Sequence, residues 1–148
     1  TVTPVDGQLQ AIFALMALGA EGVQMGTRFA LTDESSASDI FKEYCLRLNE
    51  GDTKLLLKKL APTRLVTNSF RDRVEAAEGR GASAEELREL LGRGRAKKGI
   101  FEGDLEEGEL EIGQVAALFR RRQSVDEVMK ELLEGYRRAS DKIRSAGL

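Results

Sequence analysis

The residues best suited to chemistry lie in one short stretch, residues 19–29, which reads Gly-Ala-Glu-Gly-Val-Gln-Met-Gly-Thr-Arg-Phe. Residues 23–25 can form a short buried strand, after which Gly26 and Thr27 open a polar loop. Because α/β proteins place ligands at the carboxyl ends of their strands, free N–H groups and a hydroxyl at this point suit an anion such as phosphate. Glycine also lets the chain approach an anion closely. Taken alone, however, the Gly-Thr pair favours the simpler interpretation of an ordinary turn.

Composition narrows the classes of chemistry that the chain can carry. It has 148 residues, no histidine, one cysteine and a net charge of −2. Neither His-based catalysis nor a His metal site can therefore be built, and the near-balanced charge gives no case for nucleic acid. The longest apolar run, residues 11–18, is too short to span a bilayer. The lone Cys45 is interpreted as a small apolar helix residue, and the lack of a disulfide framework makes a cytoplasmic location the expectation.

Elements on both sides must position this stretch. Residues 1–4 are expected to end a strand and residues 6–7 to form a turn. A helix that is apolar nearly all round is predicted over residues 8–18, with Gly19 as its left-handed stop. One such unit cannot bury its own faces and needs neighbouring strands that this sequence does not contain. The chain begins with Thr1 rather than Met, and we expect it to be a piece of a longer protein.

Downstream, helical periodicity and serine caps predict a mainly helical region. A helix is predicted from Ser36 or Ser38 to about residue 48, followed by a short strand over 53–59 that Pro62 ends and a helix over 63–79. A Ser83/Glu86 capping box predicts the next short helix, and a short apolar helix is predicted over 115–119. A Ser124/Glu127 capping box begins the final helix, which runs to about residue 145. Residues 92–103 contain four basic residues among glycines, which allows a phosphate-binding interpretation, but a solvated linker followed by a helical turn over 96–101 is preferred. The arginines 120–122 are interpreted as a charged helix end facing water.

Residues 22–29 closely resemble the segment around the last barrel strand of the nitronate monooxygenase family. Its members are FMN-dependent (β/α)₈-barrel flavoproteins, and the flavin-containing enoyl-acyl-carrier-protein reductases are close relatives. Residues 17–21, 103–105 and 113–118 resemble further family segments in the same order. The resemblance covers nearly the whole chain from about residue 11, but only the carboxyl-terminal part of the family's chain. It implies an α/β fold, namely the C-terminal portion of a (β/α)₈ TIM barrel plus a mainly helical second domain.

The same resemblance implies a division into three parts. Residues 1–34 would be the last unit of the barrel, with the loop that binds the FMN phosphate. Residues 35–122 would form a mainly helical lid on the substrate side, and residues 123–148 a C-terminal helix that returns to the barrel.

The implied cofactor is FMN, and four residues are carried over as its contacts: Gln24, Met25, Gly26 and Thr27. The amides of Gly26 and Thr27 are expected at the phosphate, with the Thr27 hydroxyl as a further donor. This agrees with the physical expectation, because a dianion needs several fixed donors within a small arc.

The chain departs from the family pattern at two points. The family's Gly-Gly pair at the previous strand end corresponds to residues 4–5, which are Pro and Val, so Gly7 is put forward as a candidate for that half of the phosphate site. The histidine that many members use near the flavin is absent, so no catalytic or metal-binding residue is assigned. Asn68, Arg71 and Gln114 are polar residues of interest, although helix caps or exposed helix faces are the simpler interpretation of each.

Three functional hypotheses follow. The first is an FMN-dependent oxidoreductase of the nitronate monooxygenase type, of which this is the C-terminal part. The second is an FMN-dependent enoyl-acyl-carrier-protein reductase that uses NAD(P)H, and the third is a non-catalytic helical interaction module or degenerate fragment. The expected partners are a small-molecule substrate, either a nitronate or an enoyl thioester, together with oxygen or NAD(P)H. A homodimer stays open, and neither nucleic acid nor a membrane is expected.

Overall fold

The computed structural model describes residues 4–147, with side chains from residue 11 onward, and helices dominate it. The elements in chain order are α1 (Pro4–Ala17), α2 (Thr27–Ala30), α3 (Asp39–Cys45), β1 (Thr53–Leu56), β2 (Thr63–Val66), α4 (Ser69–Gly79), α5 (Ala84–Leu91), a π-helix (Lys97–Phe101), a 3₁₀ helix (Gln114–Leu118) and α6 (Val125–Ser145). Within this described part, none of the helices combines the length and the apolar character needed to cross a bilayer.

Local capping signals determine where several helices begin. Ser83 and Ser124 each form a capping box, with Glu86 and Glu127 as the respective partners, and these boxes start α5 and α6. Ser38 caps α3 by accepting a hydrogen bond from a backbone N–H three residues on. Since each interaction spans only three residues, these helix starts were predictable from sequence and are confirmed.

The small sheet contains a strand where a helix was predicted. Strands β1 and β2 pair antiparallel, with Thr53 opposite Val66, and residues 110–112 lie along the other edge of β2. There the Val66 N–H donates to the Leu110 carbonyl at 3.0 Å. The helix predicted over residues 63–79 is therefore wrong over Thr63–Val66, and α4 begins only at Ser69. Partners on both edges satisfy the backbone groups of β2, which outweighs local helix propensity.

The region from 92 to 103 follows the prediction in outline: residues 92–94 are exposed and irregular, and the helical turn predicted over 96–101 is present. It contains the π-helix Lys97–Phe101, and Gly99 in its middle is buried. A Cβ on Gly108 would lie 2.2 Å from the Gly99 Cα, so only two glycines allow this backbone crossing. The sequence did not predict this close approach, because glycine spacing alone does not distinguish a flexible link from a crossing of two chain segments.

Three clusters of buried apolar side chains form the core of the described residues, and the smallest consists of Ala77, Ala82 and Leu87. The largest cluster joins α3 to β2 and to the segment around the 3₁₀ helix; its members are Leu31, Ala37, Phe41, Cys45, Leu46, Leu48, Val66, Leu110, Ile112, Ala116 and Phe119. The second packs the sheet against α4 and consists of Leu56, Leu57, Leu65, Phe70 and Val74. Burial raises the pKa of the Cys45 thiol to about 12. Cys45 thus acts as a small apolar core residue, as predicted.

Helix α6 packs along α1, with the rings of Phe13 and Tyr136 5.6 Å apart. The turn predicted at residues 6–7 is wrong, because both residues lie in α1. The strand end predicted at residues 1–4 lies outside the described residues except for Pro4, which begins α1. The barrel strand predicted at residues 23–25 pairs with no strand in the described part of the chain. A strand requires a hydrogen-bonded neighbour, and the described residues offer it none.

Candidate functional site

The Gly26–Thr27 pair lies at the start of the short helix α2. Gly26 occupies the capping position, and the first helical hydrogen bond runs from the Ala30 N–H to the Gly26 carbonyl at 2.9 Å. The N–H groups that precede Ala30 in this turn have no acceptor within the helix. The segment therefore offers backbone donors, which is the property that the sequence predicted for it.

Four of the five predicted site residues line one cavity. Gln24, Met25, Gly26 and Thr27 border a space of about 260 Å³. The remaining wall comes from α1 and its neighbours, through Ala11, Ile12, Leu15, Val23, Arg28 and Val115. A Cβ built on Gly26 would meet no atom within 4 Å, so the space beside this residue is open. Gly7, the fifth predicted residue, lies in α1, and its role in the site stays a prediction.

Gly26 and Thr27 also border a second cavity, of about 420 Å³. Strand β2 contributes Thr63 and Arg64 to its wall, and the segment before the 3₁₀ helix contributes Glu111. The Gly-Thr pair is thus shared by two spaces, one against α1 and one against the small sheet.

A hydrogen bond joins two of the sequence segments that carried the family resemblance. The Gly113 N–H donates to Thr27 Oγ1 at 3.1 Å across 86 positions of sequence. A Cβ on Gly113 would lie only 2.6 Å from the same oxygen, so this contact requires glycine. Because Oγ1 accepts here, the Thr27 hydroxyl keeps its own proton for donation to another group.

Arg28 is a site residue to which sequence reasoning assigned no role. Only 8% of it is exposed, and its Nη2 donates to Gln123 Oε1 at 2.9 Å and forms an ion pair with Glu131. Its guanidinium lies over the Phe119 ring, 4.8 Å from the centroid. The Arg28 Nε is buried and has no hydrogen-bond partner among residues 11–147. No local sequence signal connects Arg28 to Glu131, which is 103 positions away.

The three arginines at 120–122 do not form a helix end. They lie between the 3₁₀ helix and α6, and each makes a defined contact. Arg120 donates to the Leu48 carbonyl at 2.8 Å, Arg121 pairs with Glu131, and Arg122 pairs with Asp33 and Asp39. Arg120 and Arg121 are exposed as predicted, but the helix end is wrong, and the partners of Arg120 and Arg122 lie far away in sequence.

Two of the polar residues singled out in the sequence have structural roles. Asn68 caps α4, and its amide also donates to the carbonyls of Leu105 and Gly108. Arg71 pairs with Glu75. The simpler interpretation is thus confirmed for Asn68.

Gln114 begins the 3₁₀ helix and lines a third cavity of about 300 Å³, together with residues of β1 and its preceding turn.

A pair of carboxyl groups lies on the segment that borders the second cavity. Burial, together with the neighbouring Glu111 carboxylate, raises the pKa of Glu109 to about 7, against a smaller opposing effect of Arg95. Only 7% of Glu109 is exposed.

The fold is shared with enzymes of known structure. FabK from Thermotoga maritima superposes with a TM-score of 0.81 at 30% identity, over 93% of this chain and 43% of that chain. Nitroalkane oxidase from Streptomyces ansochromogenes gives a TM-score of 0.68 at 23% identity, over 97% of this chain and 39% of that one, which shows a likeness of fold.

Sequence comparison leads to a family. A probable nitronate monooxygenase of Staphylococcus saprophyticus is 49% identical over 69 residues, which are 45% of this chain and 18% of the relative. One from Staphylococcus aureus strain JH9 is 37% identical over 78 residues, 51% of this chain and 21% of the relative. The family model for nitronate monooxygenase matches residues 7–135. The chain belongs to the nitronate monooxygenase family, and it spans about a fifth of the length of these curated relatives.

Proposed function

We propose that this chain is the C-terminal part of an FMN-dependent oxidoreductase of the nitronate monooxygenase type, which breaks down alkyl nitronates by oxidation. The observation that carries the proposal is the cavity lined by residues 24–27, in a chain whose family match extends over residues 7–135. The residues that resemble the family's flavin segment thus lie together beside open space.

The residues present fit a nucleotide phosphate. The amides of Gly26 and Thr27 and the Thr27 hydroxyl would hold it, and the missing side chain at Gly26 leaves room for it. Fixed donors of this kind need no reorganisation when a dianion binds.

FMN, when bound, would supply the electron-accepting group for oxidation of the nitronate. This chain's own task would be to hold and orient the nucleotide and to exclude water from one side of it. The second cavity, where Arg64 and Glu111 meet Gly26 and Thr27, is the space that we assign to the substrate. No residue of this chain is proposed as the catalytic base.

We also propose that residues 1–34 complete a TIM barrel, that residues 35–122 form its lid, and that residues 123–148 return to it. Apolar side chains in and after α1 support this arrangement, because they are exposed here: Leu15, Met16, Leu18 and Val23. Surface of this kind needs covering, and the further strands of a barrel would cover it.

The proposed partners are small molecules, namely an alkyl nitronate and oxygen. The proposal leaves the oligomeric state open, with a homodimer as one alternative. The single cysteine, buried in the core, supports the cytoplasmic location that we propose.

The test uses the protein expressed from its complete coding sequence. A yellow protein with a flavin spectrum, and oxygen consumption that depends on an alkyl nitronate, is the expected result. A colourless protein that takes up no added FMN would refute the proposal. Parallel measurement of riboflavin binding shows whether the phosphate contributes to affinity.

A second candidate function is the reduction of an enoyl thioester by NAD(P)H through FMN. The likeness to FabK, at 30% identity over 93% of this chain, is the observation that favours it. Anaerobic stopped-flow measurement separates the two functions. Rapid bleaching of the flavin by a reduced nicotinamide supports the reductase, whereas bleaching only by an alkyl nitronate supports the monooxygenase.

A further inference from the structure

Arg28 is a buried charge whose position next to Gly26 and Thr27 needs an explanation. It lies in the same helical turn as Thr27, and its side chain is only 7% exposed. Burying a guanidinium is costly unless its charge is paired and its N–H groups have acceptors. The groups that pair with the buried Arg28 guanidinium belong to a distant segment of the chain and not to its neighbours in sequence.

The compensating groups come from the start of α6 and the residue just before its cap. Gln123 Oε1 accepts from Arg28, Glu131 pairs with Arg28, and Gln123 Nε2 donates to Glu131 Oε1 at 2.6 Å. The three side chains therefore form a closed triangle. Phe119 packs against the guanidinium and restricts its plane.

The backbone ties the same two segments together. Gln123 and Thr32 form a parallel bridge, and the Asp33 N–H donates to the Gln123 carbonyl at 3.0 Å. Helix α2 is thus held at two positions: within the helix by the side chain of Arg28, and just after it by the backbone at Thr32. A turn of four residues held at both points has little freedom to rotate.

We infer that Arg28 and Glu131 are positioning residues, which hold the turn so that the Gly26 and Thr27 amides face the cavity where a flavin phosphate binds. This rests on the proposed function. Neither residue acts on substrate. Their effect is on the direction of the backbone donors, so they matter for the phosphate and not for the flavin ring.

The test uses two variants that keep the net charge, Arg28→Lys and Glu131→Asp, in the protein expressed from its complete coding sequence. Lysine lacks the planar guanidinium that lies over the Phe119 ring, and aspartate is one methylene too short to keep the ion pair with Arg28. The matched control is Glu134→Asp, also on α6, whose side chain is 64% exposed and pairs only loosely with Arg138. Dissociation constants for FMN and for riboflavin, which lacks the phosphate, are measured by quenching of flavin fluorescence.

Each positioning variant is expected to raise the FMN dissociation constant by about tenfold, the effect of about one misplaced charge-assisted hydrogen bond. The riboflavin constant should change by less than about twofold, as should both constants of Glu134→Asp. Equal weakening of FMN and riboflavin, or no change in either, overturns the inference, because a purely structural role would act on both. If one variant does not fold, the other decides. If the wild-type protein binds neither FMN nor riboflavin, the proposed function itself is refuted. If the wild-type protein binds both, and the dissociation constants of the two variants equal those of wild type, only the positioning role is refuted.

Discussion

The contact between Thr27 and Gly113 leads to a prediction about coupling between two distant segments. In Gly113→Ala the new Cβ would lie 2.6 Å from Thr27 Oγ1, closer than such atoms approach in proteins. The hydrogen bond from the Gly113 N–H at 3.1 Å would be displaced as well. Overpacking costs roughly 1–3 kcal/mol and the lost bond about 1 kcal/mol, so we expect a loss of about 2–4 kcal/mol in the free energy of unfolding.

The variant Thr27→Ala removes the oxygen with which the new Cβ collides. Alone it should cost about 1 kcal/mol, because the Gly113 N–H loses its acceptor. In the double variant the collision is gone, so the combined loss should fall at least about 1 kcal/mol short of the sum of the single losses. Urea unfolding of the four proteins in this cycle measures the coupling. Additive losses would show that the two residues do not touch as described, and the reasoning would then fail.

Three further predictions concern other parts of the chain. Since the pKa of Glu109 is raised to about 7, the folded protein binds this proton more tightly than the unfolded chain, and stability should fall as pH rises from about 4.5 to about 7. The variant Glu109→Gln should remove this decline. In urea unfolding it should be more stable than wild type by about 1–3 kcal/mol at pH 8 but not at pH 4. An equal difference in stability at both pH values would contradict this prediction. In the same assay, Gly108→Ala should lower the free energy of unfolding by roughly 3 kcal/mol or more. The control Gly79→Ala, whose Cβ meets nothing within 4 Å, should be neutral or slightly stabilising. Similar values for the two variants would contradict the packing of Gly108 against Gly99. The 148-residue chain expressed alone should bind 1-anilinonaphthalene-8-sulfonate through the exposed residues Leu15 and Leu18, and a chain that is monodisperse and does not bind the dye would instead favour a self-contained helical module.

The parts of the fold that were predictable from sequence depend on local interactions. The capping boxes at Ser83 and Ser124 and the cap at Ser38 involve partners three residues away, so their residue types alone indicate them. The capping boxes predicted the starts of α5 and α6, whereas for α3 the sequence left Ser36 and Ser38 open and the structure has Ser38 as the cap.

The errors occurred where partners far away in sequence decide the structure. Val66 continues the helical apolar stripe of residues 70, 74 and 77, yet pairing with β1 and with residues 110–112 makes residues 63–66 a strand. The crossing of Gly99 and Gly108 buries the middle of a helical turn that was expected to lie in a solvated region. Neither pairing has a signature in the local sequence, because it depends on where the rest of the chain lies.

The candidate site shows the same division. Resemblance to a family singled out residues 24–27, and these four residues do line one cavity. The chain's own contacts to that segment could not be read in advance. Arg28 meets Glu131 across 103 positions, and Thr27 meets Gly113 across 86.

The central claim is that the space beside Gly26 receives the phosphate of FMN. The most direct measurement is the FMN dissociation constant of Gly26→Val in the protein expressed from its complete coding sequence. At φ −92° the backbone accepts any residue, and the added side chain meets no protein atom near its Cβ, so the variant should fold normally. We predict that it binds FMN at least about 30-fold more weakly than wild type, a loss of about 2 kcal/mol, with riboflavin binding changed much less. A folded Gly26→Val protein that binds FMN as tightly as wild type would contradict the account.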